Sequence, residues 1–198
     1  MLDWIKHMHK DHPEFWTNYL AKFEHKSTRF VVISAVSTGT SPTKDVLLSI
    51  GALAVEQQAI IVKEAFEVVL LQYKFLHENG LSNAFIIESE LPKLGEPEAL
   101  QNFVNFIGNS ILVGYRINYT LEMINAALGR MGCGRLRNEA LDLEIMHRKL
   151  QDISEVDLSA GQLLDYYKIP ELNPQHTALQ AYSYALLFLK LKIRLGIR

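Results

Sequence analysis

Residues 29–55, RFVVISAVSTGTSPTKDVLLSIGALAV, decide the reading of the fold. Arg29 to Val36 is a compact β-branched run, the pattern of a buried strand. STGTSPTKD follows with Gly39, Pro42 and several hydroxyls, the composition of a turn or loop. Val46 to Val55 is strand-like again, and so is Ala59 to Leu71. Only Gln57-Gln58 separates these two, which predicts an antiparallel hairpin.

On the amino-terminal side, Leu2, Ile5, Met8, Phe15, Tyr19, Leu20 and Phe23 recur at roughly helical spacing over residues 2–26. Pro13 interrupts them, so two helices or a kink are expected, the first piece ending at Asp11 or His12. On the other side, residues 74–95 read as irregular. Pro97 to Ile107 is a helix, Ser110 to Gly114 a short buried strand, and Tyr119 to Leu128 a helix closed by Gly129. Ala140 to Leu143 reads as a strand leading into a helix through Leu150. Ser159 to Tyr167 reads as a short helix. His176 to Ile193 reads as a long helix with an apolar stripe of Leu179, Tyr182, Leu186, Leu189 and Ile193. The order is β-β-β-α-β-α-β-α-α. A meander followed by βα units predicts an α/β fold: a mixed five-stranded sheet flanked by helices, the RNase H-like arrangement, with an N-terminal helical extension. The extension covers residues 1–27 and the main domain residues 28–198.

The composition excludes several classes. Apolar residues are 48% and charged residues 21%, which excludes a disordered chain. Twenty Lys and Arg against 22 Asp and Glu exclude a strongly basic nucleic-acid arm, though not a local basic groove. One cysteine excludes a disulfide framework and a Cys-rich zinc site. MLDWIKHMHKDH carries charges where a signal peptide needs an apolar run, and no stretch is apolar enough to span a bilayer. A reducing cytoplasm is the expected setting.

Local motifs offer little chemistry. His7, His9 and His12 do not converge on one helix face for a metal. GRMGCGR at 129–135 follows a helix and lacks the Lys-Ser/Thr of a phosphate loop, so it reads as a helix end, and Cys133 as a structural thiol. Arg130, Arg135, Arg137, Arg148 and Lys149, with His147, could border a phosphate groove. They are interspersed with Glu139, Asp142 and Glu144, and ordinary surface charge is the favoured reading.

Three segments, together covering about residues 29–194, resemble the motifs of the DnaQ-like (DEDDh) 3'–5' exonucleases. In FVVISAVSTGTSPTKDVLLSIGALAV, the elements Thr38, Gly39, Ile50, Gly51 and Ala52 stand as in that family. In ILVGYRINYTLEMINAAL, so do Leu112, Val113, Gly114 and Leu121. In HTALQAYSYALLFLKL, so do His176 and Ala178. The resemblance implies that the family's four metal-binding carboxylates fall at Ser34, Val36, Thr120 and Ala181, and that His176 takes the general-base position.

The family resembles two-metal hydrolases of phosphodiesters, using Mg²⁺ or Mn²⁺, hard cations that need carboxylate oxygens. Ser and Thr hydroxyls are weak ligands, and Val and Ala supply no side-chain donor. The expectation is therefore a catalytically degenerate member with a vestigial His176, no metal and no cofactor. Asp45 and Glu122 offer no evident replacement. Single-stranded nucleic acid or a nucleotide is the expected ligand, met by Thr38, Gly39, Tyr115 and Arg116. A second reading is a protein-interaction module, through the aromatic extension of Trp4, Phe15, Trp16, Tyr19 and Phe23. A third is a working exonuclease with an unusual site.

Overall fold

The computed structural model describes residues 12–72, 87–154, 157–173 and 176–197. Its centre is a six-stranded sheet. The strands are β1 (Phe30–Ser37), β2 (Leu47–Glu56), β3 (Ala59–Leu71), β4 (Lys93–Gly95), β5 (Ile111–Gly114) and β6 (Ala140–Asp142). Their order in space is β4-β3-β2-β1-β5-β6. β1, β2 and β3 form the antiparallel meander, while β4, β5 and β6 add in parallel. β4 is one strand more than expected. Three residues between Pro92 and the helix after Gly95 carry no periodicity, and only pairing with Val69–Leu71 makes them a strand.

The helices are α1 (Glu14–Ala21), α2 (Glu96–Ile107), α3 (Ile117–Arg130), α4 (Leu143–Gln151), α5 (Ala160–Tyr166) and α6 (Thr177–Leu195). Alternation along β1 sorts them onto two faces. Val31 and Ile33 point to the side packed by α1, α2 and α3. Phe30 and Val32 point to the side packed by α4, α5 and α6. Ser34 and Val36 follow the second register and therefore face α6.

Two expectations are corrected. Gly129 does not close α3. The helix runs one residue further to Arg130, and the chain turns at Gly132 with φ +76°. The buried face of α6 includes Thr177, Ala181, Tyr184, Ala185, Phe188, Leu191 and Lys192, whereas Leu179 and Ile193 are exposed. A helix that is apolar nearly all round gives its face no clear period. Of the two helical pieces expected around Pro13, the second is α1, whose Phe15, Trp16 and Tyr19 are buried in the same core as α2 and α3, and the first lies outside the described residues. His7, His9 and Trp4 lie outside the described residues.

Candidate functional site at the amino end of the last helix

The sheet brings a row of positions under α6. Ser34 of β1 pairs with Gly51 of β2, and Gly51 pairs with Glu67 of β3. The next row is Val36, Ser49 and Val69. The first turn of α6 rests directly on Gly51: a Cβ there would lie 2.2 Å from the Thr177 carbonyl carbon. Only glycine permits this approach.

Polar contacts fix the helix end. Glu67 Oε1 accepts from the Thr177 hydroxyl at 3.1 Å and from the Ala178 amide at 2.9 Å. Ser49 Oγ and Thr177 Oγ1 lie 2.9 Å apart, and both side chains are buried. A carboxylate that accepts a first-turn amide also suits the positive end of the helix dipole. One turn further, the buried Ser34 hydroxyl donates to Gln180 Oε1. Ala181 is fully buried beside it on α6. His176 is the residue that precedes α6 and is half-buried.

Thr120 arrives differently. It stands in the first turn of α3, which follows the carboxyl end of β5 and packs against the opposite sheet face. Ser34 of β1 therefore meets α6 beside Ala181, whereas Thr120 belongs to a helix on the other face of the sheet.

The loop after β1 is organised by Asp45. Its carboxylate accepts from the Thr38 hydroxyl at 2.9 Å and the Ser41 amide at 2.9 Å. Gly39 lies under it, because a Cβ there would meet the carboxylate at 2.6 Å. Thr38 also closes the loop by backbone pairing with Val46. Asp45 thus shapes the loop that carries Thr38 and Gly39.

Tyr115 and Arg116 follow β5. The Tyr115 hydroxyl donates to the Leu158 carbonyl at 2.6 Å, and its ring lies 6.3 Å from that of Tyr184 on α6. Burial raises the pKa of Tyr115, so its phenol stays protonated. Arg116 takes a left-handed backbone (φ +43°), and its guanidinium pairs with Glu144 and Asp157, each at 2.8 Å. One cation is met by two carboxylates, so it offers the cleft no net positive charge. Asp142 ties the two neighbouring helices together. Oδ2 accepts from the Ile117 amide of α3, and Oδ1 from the Glu144 and Ile145 amides of α4.

The basic stretch is dispersed. Arg130 is bidentate to Glu96, Arg135 pairs with Glu122, and Arg148 donates to the Ser154 carbonyl. His147 is buried against the Tyr167 hydroxyl, and burial lowers its pKa. Cys133 is buried, and burial raises its thiol pKa, which fits a structural role.

Sequence reasoning missed Gln180, Glu67, Ser49 and Thr177. Glu67 left a trace as an acid next to the apolar run Val68–Leu71, but its partner depends on register across three strands.

The residues at the four positions that the resemblance names supply no carboxylate of their own. Ser34 gives its hydroxyl proton to Gln180, Val36 and Ala181 carry no donor atom, and Thr120 has a neutral hydroxyl. Among the described residues, no group of three or more His, Cys, Asp or Glu could hold a metal ion. Nor is any helix among them long and apolar enough to cross a membrane.

No family model matches the chain. A PolC-type DNA polymerase III of Caldanaerobacter subterraneus subsp. tengcongensis is 24% identical over 173 residues, which are 82% of this chain and 11% of that protein. The DNA polymerase III epsilon subunit of Aquifex aeolicus is 27% identical over 129 residues, 61% of this chain and 59% of the subunit. Zinc-bound E. coli exonuclease I in complex with single-stranded DNA superposes with a TM-score of 0.68 at 13% identity, over 87% of this chain and 42% of that one. The same enzyme with a dT13 oligonucleotide gives 0.66 at 13% identity, over 86% and 42%. The chain thus spans less than two thirds of each of these relatives, and at 13% identity the structural likeness shows the fold alone.

These findings correct one expectation. The absence of any cofactor does not stand, because the relatives are DnaQ-like exonucleases, which use divalent metal ions, and one matched structure is a zinc-bound form. The chain is thus similar in sequence to the epsilon and PolC proteins of DNA polymerase III, and it shares its fold with exonuclease I, as the resemblance to DnaQ-like exonucleases implies.

Proposed function

We propose that the chain is a DnaQ-like protein with a degenerate cleavage centre that retains binding of single-stranded nucleic acid or a nucleotide, in a reducing cytoplasm. The observation that carries this reading is the contact between Ser34 and Gln180 beside the buried Ala181. Two of the four positions that the resemblance assigns to metal carboxylates are closed and uncharged. A neutral cleft repels phosphate less than an acidic one. His176 alone would supply general-base help of about 10²–10⁴-fold, far short of what phosphodiester cleavage requires. The matched exonuclease I complexes hold single-stranded DNA, which supports a nucleic-acid ligand for this chain.

The decisive experiment measures fluorescence anisotropy of a labelled single-stranded oligonucleotide across a salt series. Its length is then read on a gel after incubation with Mg²⁺ or Mn²⁺. Binding that weakens with salt, over an oligonucleotide of unchanged length, is the expected result. Metal-dependent shortening from the 3' end, lost in His176→Ala, would overturn it. Arg116→Ala tests the cation beside the cleft: weaker binding gives it a role, and unchanged binding with the usual salt slope removes it. The interaction-module reading has lost part of its surface, because Phe15, Trp16 and Tyr19 are engaged in the chain's own core.

A further inference from the structure

The opposite end of β1 holds a second cluster, away from Ser34, Val36 and the start of α6. Lys192, near the end of α6, is only 6% exposed. Its ammonium lies 4.5 Å from the centre of the Phe30 ring and 6.0 Å from that of Phe188. One hydrogen bond, 3.1 Å long, goes to the Gln57 carbonyl in the β2–β3 turn. Among the described residues no carboxylate pairs with it. An ammonium carries three donors and no acceptor, and burying a charge is costly without a counter-charge.

Beside Lys192 opens a hollow of about 640 Å³. Phe30, Ile193, Ile197, Thr28 and Gln58 line it together with the lysine. The volume suits a small ligand, and the walls are mostly apolar. A buried cation with no acid beside it among the described residues, next to an apolar hollow, is complementary to a single negative charge joined to an aliphatic tail.

We propose that this hollow binds an aliphatic carboxylate. Its head meets the Lys192 ammonium, and its tail lies against Phe30, Ile193 and Ile197. The site is separate from the cleft, because Phe30 begins β1 whereas Ser34 and Val36 lie near its end. Its success or failure therefore leaves the nucleic-acid reading untouched.

The test titrates the full chain with decanoate by isothermal calorimetry, with decyltrimethylammonium as the cation of equal tail. Saturable binding of one decanoate per chain is expected, with the cation bound at least tenfold more weakly. Lys192→Met removes the charge-assisted hydrogen bond, and affinity should fall at least tenfold. Gln58→Glu places a competing carboxylate at an exposed turn position and should weaken binding in the same direction. It decides the matter if Lys192→Met does not fold by circular dichroism. No saturable binding in the low-millimolar range overturns the proposal. So does equal affinity for both surfactants, or affinity unchanged in the folded variants. Lys192 is then a cap on the β2–β3 turn and nothing more.

Discussion

At the scale of single residues, Gly51 carries the tightest constraint. Its missing side chain is what lets the Thr177 and Ala178 backbone sit on the sheet, at 2.2 and 2.3 Å from an added Cβ. Neither neighbour is a flexible side chain. Gly51→Ala should therefore cost about 3 kcal/mol, the upper part of the usual overpacking range. Urea unfolding checks this: the midpoint should fall while the slope stays constant. The glycine was readable in IGA, but its reason was not. Ser34, Val36 and Ala181 were likewise placed by motif spacing, whereas Gln180 is a polar residue on a helix and looks like any exposed one. Its partner is 146 positions away, and only the docking of α6 on β1 brings the two together.

At the scale of elements, α1 shows how an amino-terminal segment becomes part of the core. Trp16 and Tyr19 are 1% exposed, their rings are 4.7 Å apart, and the Tyr19 hydroxyl donates to Asn138 at 2.7 Å while accepting from the Arg137 amide. Burial pushes the Tyr19 phenol up to about 12. The folded chain holds the proton more tightly than the unfolded one, whose phenol titrates near the ordinary 10. This contribution to stability is therefore complete below that pH and fades as pH rises toward the folded value. Tyr19→Phe should lose about 1 kcal/mol at neutral pH through its hydrogen bonds. It should also lose stability less steeply under alkaline conditions, as denaturant titrations at a series of pH values would show. The three long strands were legible because β-branched runs and turn residues alternate over 29–71. β4 was not, since three residues have no period of their own. The face of α6 was misassigned because apolar residues surround that helix, so packing alone selects which of them are covered.

At the scale of the whole molecule, the meander and the βα units make the frame on which the resemblance places its four positions. The variant carrying Ser34→Asp, Val36→Glu, Thr120→Asp and Ala181→Asp tests the placement of the motifs. Ala181 is fully buried, so an unpaired acid there should destabilise the fold without metal. If the four positions converge, Mn²⁺ should raise the melting temperature of the variant by several degrees and leave the parent unchanged, since an ion that binds only the folded state stabilises it. A folded variant indifferent to Mn²⁺ shows the four positions apart.

Asp142 connects these scales in one further respect. Its two oxygens serve the first turns of α3 and α4, through the amides of Ile117, Glu144 and Ile145. Neither helix can fray at its start without releasing an acceptor that the other shares. Slow exchange of these amides with deuterated water should thus be correlated, and Asp142→Ala should speed Ile117 and Glu144 together while the middles of both helices remain protected. The turn that carries Tyr115 and Arg116 should then open as a unit with the start of α4.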